Sequence, residues 1–153
     1  MVVLGHAAHE VAAAVKILGR ARIAINPNFA SGQSTSLRTG LRAADAGSSA
    51  AVFLLGDQPG VRVDAIGAVV DAWRGGAGPV VQASYAGRPS HPTLFDRSTW
   101  SELERAEGDE GARGVLARHS EWRVLVEVGG APPDDLDTEE DYTRLRGEFE
   151  GTV

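Results

Sequence analysis

Residues 50–60 read AAVFLLGDQPG, and this stretch decides the fold. The six apolar residues Ala50 to Leu55, bounded by small and turn-forming residues, predict a short strand buried on both faces, as inside a parallel sheet. Gly56 then lets the backbone turn, and Pro59 keeps the strand from continuing. Asp57 thus stands at the strand's carboxyl end. Open α/β sheets bind ligands beyond that end, so Asp57 is either a functional carboxylate or the cap of a tight turn.

Outward from this stretch, helical and strand patterns alternate. Val2 to Leu4 predicts a strand ending at Gly5, and Val11, Ala14, Val15 and Leu18 predict an amphipathic helix from about His9 to Leu18. Arg22 to Ile25 predicts a second strand, stopped by Asn26-Pro27. Leu37, Leu41 and Ala44 continue at helical spacing, with one of Ser34, Thr35 and Ser36 as the cap. Ile66, Val69, Val70 and Trp73 mark a further helix, and Pro79 to Ala83 a strand. Such alternation predicts a three-layer α/β domain with a mostly parallel sheet.

The second half is less regular. Tyr85 to Pro92 reads as a flexible, turn-rich segment, Ser98 to Arg105 and Ala112 to His119 as helices, and Trp122 to Val128 as a strand. A loop then delivers Asp134, Asp135 and Asp137, after which Thr138 caps a last helix containing Tyr142 and Leu145, with residues 147–153 expected to fray. No repeat or linker interrupts the sequence, so one domain over residues 1–153 is expected.

Composition bounds the chemistry. At 153 residues, 42% hydrophobic and 24% charged, the chain has the make-up of a soluble globular domain. The net charge of −6 and the lack of a basic stripe speak against a nucleic-acid partner. With no cysteine, thiolate metal sites and disulfides are excluded. No apolar run reaches membrane-spanning length and no basic leader opens the sequence, which predicts a cytoplasmic protein without a membrane partner.

Three constellations remain as carriers of chemistry. Asp57 and Asp137 each follow a strand, and two carboxylates at one sheet edge suit a hard cation such as magnesium; the alternative for Asp134, Asp135 and Asp137 is a solvated acidic loop. The loop from Asn26 to Leu37 brings small and hydroxyl residues to a helix start, where they either hold a phosphate, sugar or base or merely cap the helix. It lacks the lysine and spacing of a Walker loop. His91 lies in a polar segment open to a ligand, whereas His6, His9 and His119 read as structural. Neither a G-x-S-x-G elbow nor a G-x-G-x-x-G opening is present.

Six stretches in order, LGHAAHEV (4–11), the segment from Asn26 to Leu41, GDQP (56–59), GRPSHPTLF (87–95), GDEGAR (108–113) and DLDTEEDY (135–142), together resemble the MobA-like NTP transferase family, molybdenum cofactor cytidylyltransferases most of all. The resemblance implies a Rossmann-like α/β/α nucleotidyltransferase fold that transfers CMP from CTP to a molybdopterin phosphate and releases pyrophosphate. It implies that Asp57 and Asp137 are catalytic and bind Mg2+. Ser34, Ser36 and Gly56 would lie on the nucleotide, while His91 and Gly111 would border the acceptor.

The family's opening strand and its glycine-rich L-A-A-G-x-S-x-R-M-G loop have no counterpart here. The expectation is therefore an N-terminally truncated domain lacking about fifty to sixty residues, the size of a βαβ unit with its loop. Its absent strand would lie between those at Val2 and Ala50, leaving edges that invite a second copy of the chain. Two other readings stand beside this one. The same scaffold would serve an NAD(P)H-dependent oxidoreductase, or a binding protein for nucleotide and pterin without catalysis.

Overall fold

Tyr85 and Arg88 flank a two-residue turn in which Ala86 (φ 51°) and Gly87 (φ 79°) both lie in the left-handed region. That pairing of angles is a type I′ turn, whose twist matches antiparallel strands. The computed structural model describes residues 1–17 and 19–150, and the side chains of residues 1–17 and 19–147. In chain order the strands are β1 (Val2–Leu4), β2 (Ile23–Ile25), β3 (Ala50–Phe53), β4 (Val80–Tyr85), β5 (Arg88–Asp96) and β6 (Arg123–Glu127). The helices are α1 (Ala8–Ala14), α2 (Gln33–Ala43), α3 (Val63–Arg74), α4 (Trp100–Glu104), α5 (Gly111–Arg118) and α6 (Glu139–Glu150). The architecture is the Rossmann-like α/β kind that the sequence predicts. No helix among the described residues is long and apolar enough to cross a membrane.

The chain divides into two compact units. The first comprises Met1–Ala51 and Phe95–Arg123. Its two strands, β1 and β2, pair in parallel with Val3 opposite Ala24. Helix α2 is the hub of this unit, touching β1, β2, α4 and α5. Leu41 on α2, Phe95, Trp100, Leu103 and Val115 are buried in the unit. Each such side chain contributes roughly 1.5–3 kcal/mol by leaving water.

The second unit comprises Val52–Leu94 and Val124–Val153 and is built on a four-stranded sheet in the order β3-β5-β4-β6. All six residues of β4 are buried. Helix α3 packs on β4, with Val69 and Ala65 turned inward.

Several expectations change. The strand read from Ala50 to Leu55 ends at Phe53 and is only half-buried, because it terminates the strand order while β4 takes the interior. The sheet is mixed, since the two-residue turn makes β4 and β5 antiparallel. His91, expected in a flexible turn-rich segment, lies inside the nine-residue strand β5. Glycine, proline and serine gave that segment its turn-like look, yet pairing with β4 holds it extended. Helix α1 stops at Ala14, and Leu18 lies outside the described residues. Helix α6 continues to Glu150, so the fraying expected from residue 147 is not seen through residue 150; residues 151–153 lie outside the described residues.

Candidate functional site

In the second unit, two segments meet beyond the end of β3. The main-chain N–H of Leu136 donates to the carbonyl of Asp57 at 2.8 Å. Next to it, Gln58 Nε2 donates to Asp135 Oδ1 at 2.7 Å, and Gln58 is buried. These two bonds tie the turn at 56–58 to the segment at 135–137. Gly56 is not in the left-handed region and a Cβ there would meet nothing within 4 Å, so the turn does not need glycine for its backbone.

Helix α6 starts immediately after Asp137, on the cap expected at Thr138. Thr138 Oγ1 accepts from the Asp141 N–H at 3.1 Å, and Asp141 Oδ2 accepts from the Thr138 N–H at 3.0 Å. This reciprocal arrangement is a capping box with aspartate in place of glutamate. The Thr138 hydroxyl, and then Arg144, hold the Asp141 carboxyl below its ordinary pKa by stabilising its charged form.

The aspartates of this loop separate by their partners. Asp134 pairs with Arg144 at 2.7 Å, and Asp135 accepts from Gln58. The carboxylates of Asp57 and Asp137 are exposed and have no side-chain partner among the described residues. No group of three or more His, Cys, Asp or Glu side chains suited to a metal occurs among the described residues. Two unpaired carboxylates, with the remaining positions open to water and substrate oxygens, fit a hard divalent cation of the magnesium kind.

The first unit holds the other polar locus. Asn26, 1% exposed, donates through Nδ2 to Thr35 Oγ1 at 2.8 Å and to Ser36 Oγ at 2.9 Å. Asn26 Oδ1 in turn accepts the Asn28 N–H at 3.0 Å. The hydroxyls expected to cap α2 therefore lie within its first turn, where Thr35 and Ser36 brace the preceding loop; Gly32 occupies the cap position. Ser34 is fully buried and its Oγ lacks a hydrogen-bond partner among the described residues.

At the very start of α2, the Gln33 N–H donates to Asp109 Oδ1 at 3.3 Å, a carboxylate at the positive end of a helix. Gly32 (φ 103°) makes this approach feasible, since a Cβ there would lie 2.4 Å from the Gly108 carbonyl carbon. Gly111 (φ 52°) is equally close to Gln33, whose Oε1 would lie 2.6 Å from a Cβ.

The residues anticipated for function thus fall into two groups. Asp57, Gly56 and Asp137 share one edge of the second unit, where His91 also belongs, its Nδ1 3.3 Å from the Phe53 carbonyl. Ser34, Ser36 and Gly111 belong to the first unit, around the start of α2. His6 contacts Phe29 edge-on at 5.8 Å and His119 stacks on Trp122 at 3.8 Å, as befits structural side chains. Sequence reasoning missed Gln58, although its place after Asp57 in GDQP was a signal, and Asp109, whose role is set by a contact 76 residues away in sequence.

Residues 1–122 match the MobA-like NTP transferase domain. The chain is 31% identical over 118 residues to Purine catabolism protein PucB of Bacillus subtilis (strain 168), covering 75% of this chain and 56% of that protein. It therefore spans just over half the length of that curated relative. Among solved structures, Rv0371C of Mycobacterium tuberculosis H37Rv in complex with manganese is 30% identical with a TM-score of 0.77, the match covering 94% of this chain and 75% of that one. An rv0371c homolog from mycobacterium sp. strain JC1 is 27% identical with a TM-score of 0.83, over 99% of this chain and 75% of that one. Molybdopterin-guanine dinucleotide biosynthesis protein A from Archaeoglobus fulgidus shares the fold, at 14% identity and a TM-score of 0.62 over 97% of this chain and 78% of that one.

Proposed function

The chain belongs to the MobA-like NTP transferase family, and from that premise we propose that it transfers CMP from CTP to the phosphate of a molybdopterin-type acceptor. The observation that carries this reading is the Leu136 to Asp57 hydrogen bond, which brings two unpaired carboxylates, Asp57 and Asp137, to one edge. A divalent cation held there, magnesium or manganese, supplies neutralisation of phosphate charge when bound. The manganese in the Rv0371C complex supports a divalent ion in this family.

Asp57 and Asp137 would hold that cation. The reaction balances without an enzyme-bound intermediate. An oxygen of the acceptor phosphate forms a bond to the α-phosphorus, and the bond from that phosphorus to the β-phosphate oxygen breaks. Pyrophosphate leaves with the electron pair. Such transfer depends chiefly on positioning and on charge stabilisation. Ser34, Ser36 and Gly56 are assigned to the nucleotide and His91 and Gly111 to the acceptor, and both units are read as parts of one catalytic domain in the cytoplasm.

Pyrophosphate release tests the reading. The protein is incubated with Mg2+ or Mn2+, molybdopterin, and CTP or GTP in turn. Release with CTP, abolished by Asp57→Asn, supports it. Nucleotide binding without release would replace the enzyme with a binding protein, and release with GTP alone would change the nucleotide.

A further inference from the structure

A polar groove of about 230 Å³ runs along one side of α2 in the first unit. Its lining includes Arg38, Thr39 and Arg42 from the helix and Asn28 and Ser31 from the loop before it. Residues three and four apart share a helix face, so Arg38 and Arg42 present two guanidinium groups to the same space. Among the described residues no carboxylate lines the groove, in a chain whose net charge is −6.

The donors are placed and available. Arg38 is held from below, its Nη1 donating to the Ala106 carbonyl, which leaves its other N–H groups for the groove. Arg42 is exposed and has no ion pair or hydrogen bond among the described residues. The side chains of Asn28 and Ser31 likewise have no partner among the described residues. The floor is rigid, because Asn26 and Thr35 bond each other at 2.8 Å and Thr39 Oγ1 donates to the Thr35 carbonyl at 2.8 Å.

We propose that this groove binds a phosphoryl anion, gripped by Arg38 and Arg42 and oriented by Asn28 and Ser31. Arginine forks match the several oxygens of a phosphoryl group, and charge-assisted bonds of this type are the strong ones. The ligand is either free inorganic phosphate or the phosphate of a small ester whose body fills the rest of the groove. The inference does not depend on the acidic edge of the second unit, and no divalent ion takes part in it.

Calorimetric titration without divalent metal tests it, with inorganic phosphate and ribose 5-phosphate as probes at constant ionic strength set by chloride. Wild type should bind at least one probe saturably. Arg42→Gln should weaken that binding about tenfold, the effect of losing one charge-assisted contact, with the melting temperature of the free protein unchanged. Arg42→Lys should recover part of the loss. Tighter binding of ribose 5-phosphate identifies an ester as the ligand; equal binding identifies free phosphate. Saturable binding unchanged in Arg42→Gln would overturn the proposal, as would no saturable binding of either probe up to about 10 mM.

Discussion

Leu136 donates its main-chain N–H to the carbonyl of Asp57, so the residue before Asp137 is bonded directly to the turn that carries the other acid. The bond joins positions 79 residues apart (136 minus 57) through backbone alone. Side-chain replacements at 57 and 137 therefore leave the junction intact, and their chemistry can be tested without unfolding it.

Asp57→Asn and Asp137→Asn should each weaken divalent-ion binding by more than about tenfold. Loss of a supporting residue alone typically costs 10–100-fold, and a direct ligand should cost no less. Asp134→Asn, which removes only an exposed ion pair with Arg144, should leave metal affinity near wild type. Manganese titration followed by paramagnetic broadening of the NMR spectrum measures all three. Equal losses at 134 and 137 would mean the loop acts as a diffuse acidic patch.

Gly32→Ala should destabilise the protein by about 2–3 kcal/mol. The new Cβ would meet the Gly108 main chain, which cannot swing aside as a side-chain tip can, in a left-handed conformation costly for alanine. Gly47→Ala, whose Cβ meets nothing within 4 Å, should stay within about 0.5 kcal/mol of wild type. Chemical denaturation of the two variants reads the contrast.

Ala86→Asn should stabilise the β4–β5 hairpin by about 0.5–1 kcal/mol. Alanine at φ 51° pays the usual left-handed cost, and asparagine before Gly87 is the preferred pair for a type I′ turn. A rise in melting temperature is the expected result, and a fall would contradict the assigned turn.

Acid should loosen the start of α6. The Asp141 pKa is lower in the folded protein, so its contribution is complete above the ordinary carboxylate range and is lost as pH falls through the folded value. The loss therefore occurs below about pH 4. Thr138→Ala removes the main cause of the depressed pKa and should flatten this acid limb, monitored by amide hydrogen exchange at residues 139–142.

Sequence periodicity was enough for α3, which buries Ala65 and Val69, and for α2, where Leu37, Leu41 and Ala44 keep helical spacing although Ser34 and Thr35 are buried beside Leu41. Strand β5 was hidden, since Pro89, Ser90 and Pro92 are loop-formers, and its place in the sheet between β3 and the buried strand β4 keeps it extended. The acidic loop shows the same limit at the site. Asp134, Asp135 and Asp137 are chemically identical in sequence, and Arg144 and Gln58, supplied by the fold, decide which one is left free. Arg38 and Arg42 went unread in the sequence, which has no local motif to mark them, because their groove is completed by the loop before α2.

The carboxylate of Asp109 at the first turn of α2 makes that helix end self-neutralised. The start of α2 is thereby tied to a turn 76 residues further along the chain, and the charge that satisfies the helix end is also a tertiary link within the first unit.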